Sequence, residues 1–157
     1  MQTPEPLLEP DYDDDAPPLA RRPLVPFAGI GERTAWIAGL VLAVSAFTGW
    51  YSGTGEGVAV SVMGWNTGLL GKLVLFLGLG VVALALLRRF GIALPAAVPE
   101  SLLVIALGSA AFVCALVRAI SIPDAFFFAG RGIGIWITLA AALAVIVAGL
   151  LEVSEEL

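Results

Sequence analysis

Lysine behind glycine, with more glycines upstream, is the residue pattern that cradles nucleotide phosphates. The stretch "GTGEGVAVSVMGWNTGLLGK" runs from Gly53 to Lys72 and closes on such a pair, Gly71-Lys72. A phosphate loop needs G-x-x-x-x-G-K followed by Ser or Thr, whose hydroxyl holds magnesium. Here Leu73 follows the lysine and Asn66 stands where the first glycine belongs. Gly53, Gly55 and Gly57 echo a kinase glycine loop, but the third comes one residue early and no catalytic-loop pattern follows. The stretch reads as a turn between two helices.

Other chemistry is thinly supplied. The chain has no histidine and one cysteine, Cys114, inside an apolar run, so neither an internal disulfide nor a Cys/His metal set is available. Ser45, Thr48, Ser109 and Thr138 lie in apolar segments without a base to activate them. Catalytic, cofactor-binding and metal residues are therefore expected to be none, and the chain is expected not to be an enzyme.

The setting explains the thin inventory. Of 157 residues, 59% are hydrophobic and 13% charged, against about 45–50% and 25% in soluble domains. Mean hydropathy is +0.98. A chain so poor in polar groups is solvated mostly by lipid. The net charge of −5 is concentrated in the first fifteen residues, where Glu5, Glu9, Asp11, Asp13, Asp14 and Asp15 stand without a base.

Residues 1–28 hold that acidic run and most of the prolines, a composition that cannot bury a core. They read as a disordered cytoplasmic tail in which Asp11, Asp13, Asp14 and Asp15 would contact a basic partner. The rest, 29–153, reads as an all-α integral membrane bundle of four transmembrane helices, at about 34–50, 67–87, 101–120 and 132–151. Residues 154–157 form a short acidic C-terminal tail. Twenty helical residues span about 30 Å, the thickness of the hydrocarbon core.

Arg21, Arg22, Arg33, Arg88 and Arg89 outnumber Lys72, Arg118 and Arg131 on the opposite side. The excess sets both termini in the cytoplasm of a bacterial cell (inner) membrane. Trp36, Trp50, Tyr51, Trp65 and Trp136 fall near helix ends, as interfacial aromatics do. Glu100 suits the first turn of the third helix. Lys72, about five residues into the second, is expected to snorkel, or else to pair with Glu56 or Asp124. Val58, Val60 and Val62 alternate with Ala59, Ser61 and Met63, so a short extended piece is expected on the outer rim.

Small residues recur at helical spacing: Ala35, Gly39 and Ala43; Ala106, Ala110 and Cys114; Ala140, Ala144 and Ala148. Gly39, Ala110 and Ala144 mark the expected packing faces, which serve either the bundle itself or a homo-oligomer. No ionisable group lies at a helix midplane, which disfavours transport by one chain alone.

"GWYSG", "GWNTGLLGKL", "LRRFGIALP" and "GIGIWITLAAALAVIVAGLLE" together resemble a type of small four-helix actinobacterial integral membrane protein with an acidic, proline-rich tail. The resemblance covers about residues 29–153. It implies a multipass membrane protein and supplies no site residues.

The expectation is an accessory or scaffold protein whose acidic tail meets a basic cytoplasmic protein. The alternative is a subunit of an oligomeric transporter or channel. The lipid bilayer is the expected partner in either case, and no nucleic acid is.

Overall fold

A computed structural model describes residues 29–55, 58–92, 99–124 and 129–156. The acidic segment 1–28, with Asp11, Asp13, Asp14 and Asp15, lies outside the described residues, as does Glu56.

The chain is mostly helical. Helix α1 spans Ile30–Ser45, α2 Leu69–Arg89, α3 Glu100–Ile120 and α4 Ile133–Glu156. They pack in a ring, α1 on α2, α2 on α3, α3 on α4 and α4 back on α1. Helices α2, α3 and α4 are long and apolar enough to cross a membrane, with mean hydropathy of 2.5, 2.3 and 2.5. At 16 residues, α1 is shorter.

The first helix differs from the expected 34–50. It starts earlier, behind Gly29 at φ 84°, and ends at Ser45. Its last turn tightens, with Ala46, Phe47 and Thr48 donating to the carbonyls three residues back. The glycine-rich chain beyond leaves the helix and becomes strand β1, Gly49–Gly55. The acidic end also differs, since residues 154–156 continue α4 as helix.

The fold is therefore not purely helical. Strand β1 pairs antiparallel with β2, Val58–Met63, and with β3, Gly130–Arg131, giving the order β2-β1-β3. A 3-10 turn, Gly64–Thr67, leads from β2 to α2. The alternating valines thus do form an extended piece, with β1 as a neighbour that period-two reading did not find.

Each helix end has a local cause. Arg88 and Arg89 suit the negative end of α2. Beyond them, Gly91 at φ 71° lets Gly91 N–H bond the Arg88 carbonyl and Ile92 N–H the Leu87 carbonyl, a Schellman stop. Pro99 precedes α3 and Glu100 opens its first turn.

Close backbone approach holds the ring. A Cβ on Gly78 would lie 2.6 Å from the Ala43 nitrogen and 2.9 Å from the Gly39 carbonyl oxygen. Between α3 and α4, Gly108 abuts Val145 and Ile146, and Gly149 abuts Ile105. Lipid gives helices no hydrophobic reason to associate, so such van der Waals contact replaces it. Outward, Ile37, Leu40, Val44, Phe76, Leu79, Val113 and Val147 are exposed, which is compatible with a membrane location.

Candidate functional site

Polar side chains gather at the two ends of the ring, and each group has a different chemistry. At one end, α1 begins, α2 stops, α3 starts and α4 finishes. Arg88 Nε bonds Glu100 Oε2 at 2.7 Å, and Arg88 Nη2 reaches Glu152 Oε2 at 3.3 Å. Glu152 is only 3% exposed and packs so closely on α1 that a Cβ at Gly31 would sit 2.8 Å from its Cγ. One turn on, the Glu155 carboxylate accepts from Gly29 and Gly31 N–H, at 3.4 and 3.5 Å. A negative group thereby faces the positive start of α1.

This cluster joins all four helices. Two carboxylates share one guanidinium, with buried Ser101 on the same turn as Glu100. No group of three metal-holding side chains occurs among the described residues. Its chemistry is that of a clamp.

At the opposite end the small sheet covers the bundle. Trp50 and Tyr51 were expected at the membrane interface; the structure instead buries both completely. Trp50 Nε1 donates to the Ser45 carbonyl at 3.0 Å, and its ring lies so close to Gly64 that a Cβ there would stand 2.4 Å away. Tyr51 donates its phenol to the Arg118 carbonyl at 2.8 Å, and Arg131 Nε donates to the Ala119 carbonyl. These two bonds satisfy carbonyls in the last turn of α3, which no intrahelical partner can reach. Burial pushes the Tyr51 phenol above its ordinary value, while the charges of Arg118 and Arg131 oppose that rise.

Lys72 projects its ammonium over Trp65, 5.2 Å from the ring centroid, and Trp65 stacks on Phe47 at 6.0 Å. Arg118 Nη2 donates to the Thr67 carbonyl. Deeper in, between α1 and α4, the one Thr138 hydroxyl proton is shared between Ser45 Oγ at 2.9 Å and the Gly134 carbonyl at 2.8 Å, and Ser45 donates to the Leu42 carbonyl at 2.6 Å.

The three expected packing residues have different surroundings. Gly39 is buried against Val81 and Gly78. Ala144 is partly buried and lines an open apolar groove of about 440 Å³ between α1 and α4, with Ala38, Val41, Ala140 and Ala141. Ala110 is exposed, and the buried row of α3 is instead Gly108, Ala111, Ala115 and Ala119. The correction is a rotation: α3 carries small residues on two rows, and its neighbours select the other one.

Sequence reasoning missed the Arg88–Glu152 contact. Arg88 was read as a topology signal, and Glu152, within the 29–153 bundle, was given no role. The available signal was the cost of a carboxylate at the edge of a long apolar span, which calls for a partner. The chain matches no protein-family model, no curated protein and no solved structure.

Proposed function

We propose that the chain is a multipass protein of the bacterial cell membrane that acts as a non-enzymatic accessory or scaffold protein. In this reading all four helices cross the bilayer, and both termini lie in the cytoplasm. The antiparallel course of α1 between α2 and α4, with Ile37, Leu40, Val41 and Val44 exposed, supports the fourth crossing.

One observation carries the functional part. Five polar side chains are buried among the described residues, and every one has a partner within the fold: Ser45, Thr67, Ser101, Thr138 and Glu152. Buried polar groups are costly and persist where something uses them. Here Glu152 and the Ser45/Thr138 pair tie helices together, while Thr67 closes its own turn on the Gly64 carbonyl. The interaction surface is then assigned to the acidic segment 1–28, which attracts basic cytoplasmic proteins over a Debye length.

The test is a gentle-detergent purification from native membranes of the full chain and of a version lacking residues 1–15. A partner that is lost with the acids, and released by salt from the full chain, supports tethering. Partners indifferent to both treatments overturn it.

The apolar groove between α1 and α4 favours a second reading, a subunit of an oligomeric transporter or channel whose copies meet along small residues. A single self-assembly of fixed stoichiometry from the same purification would select that reading.

A further inference from the structure

Charge is compensated very differently at the two ends. Both ion pairs belong to the Arg88 end. At the sheet end, Lys72, Arg118 and Arg131 have no carboxylate within ion-pair distance among the described residues, and Asp124 stands exposed and apart. Arg118 is half-buried, bonded through Nη2 to the Thr67 carbonyl, and its buried Nε has no hydrogen-bond partner. Lys72 has only the Trp65 ring beneath its ammonium.

Both cations flank the same short segment, Trp65 to Gly68. The Lys72 ammonium sits over the Trp65 ring, Arg118 Nη2 donates to the Thr67 carbonyl, and a Cβ at Gly68 would stand 3.0 Å from that Nη2. With φ at 106°, Gly68 leaves that side of the guanidinium without a side chain over it. A partly desolvated guanidinium with uncompensated charge favours an anion with several acceptor oxygens, and a phosphate supplies them in the right planar spacing. Basic pockets between transmembrane helices take phospholipid head groups for this reason.

We propose that Arg118 and Lys72 form a phosphate-binding site at the sheet end of the bundle, filled by an anionic phospholipid head group or by a soluble phosphate. The first source rests on the membrane reading above. Flotation of the full-length protein with vesicles checks that reading independently of lipid preference.

The test uses the full chain in detergent, titrated with phosphatidylglycerol, phosphatidylcholine or inorganic phosphate, and counts retained ligand by native mass spectrometry. Lys72→Gln breaks no side-chain hydrogen bond among the described residues, so it avoids the misfolding that Arg118→Gln risks. Lys72→Gln and Arg118→Gln are each expected to weaken phosphatidylglycerol retention about fivefold, while Arg89→Gln at the other end leaves it unchanged. Saturable inorganic phosphate binding lost in Lys72→Gln supports the same site with a soluble source. Equal retention of both lipids together with no phosphate binding overturns the proposal, as does equal loss in Arg89→Gln.

Discussion

Ser45 and Thr138 stand 93 positions apart in sequence and 2.9 Å apart in space, each fully buried, with one hydroxyl bonded to the other. This bond fixes the register of α1 against α4. In lipid, such interhelical bonds contribute about 0.6 kcal/mol, up to about 1.7. Thr138→Val, which keeps the shape, is expected to cost that amount in detergent-driven unfolding. A cycle with Ser45→Ala should return a coupling of similar size, and additive costs would show that the two hydroxyls act separately.

Gly78 meets backbone atoms of α1, which cannot rotate aside. Gly78→Ala should therefore push α1 from α2 and destabilise by about 1–3 kcal/mol. Gly80, two residues on, faces the flexible tip of Leu107 at 3.4 Å. Gly80→Ala is expected to be neutral or stabilising, because alanine favours helix. Comparing the two unfolding midpoints checks the assignment.

Arg88 bridges a buried acid and a half-exposed one, and the consequences of losing each partner differ. Arg88→Gln removes one partner from Glu152, which is 3% exposed, at a cost of up to about 3–5 kcal/mol. Glu100→Gln touches a pair whose side chains are 28% and 23% exposed, so about 1 kcal/mol or less is expected. Equal losses in the two variants would contradict a clamp centred on Glu152.

Tyr51 ties the sheet to α3 with a neutral phenol. Because burial raises its folded pKa, the stabilisation is complete below the ordinary phenol value of about 10 and is lost as pH climbs through the folded value. Tyr51→Phe should cost about 1 kcal/mol at neutral pH and flatten the alkaline decline. The chain has one other tyrosine, Tyr12, so phenolate absorbance of the variant isolates the Tyr51 titration.

Helices α2, α3 and α4 were legible because a helix long and apolar enough to cross a membrane declares itself by length and apolarity alone. What eluded the sequence was set by contacts distant along the chain. Residues 49–55 read equally well as helix end or loop until β2 and β3 supply ladders on both sides. Ala106–Ala110 and Ala111–Ala115 are equivalent small pairs on α3, and only the position of α4 and α2 decides which is covered. Arg88 and Glu100 sit across one short hairpin, whereas Glu152 joins them only once the ring has closed.

That closure has an order in time. Among the described helices α1 comes first along the chain, and it rises only about 24 Å, less than the hydrocarbon core. Half of its seat, at Gly31 and Ser45, is provided by α4, the described helix farthest from it along the chain. At ribosomal speed the intervening chain takes on the order of ten seconds to appear. Until α4 follows, the Gly31-to-Ser45 side of α1 lacks its partner helix. A chain stalled before Ile133 thus leaves that side of α1 uncovered.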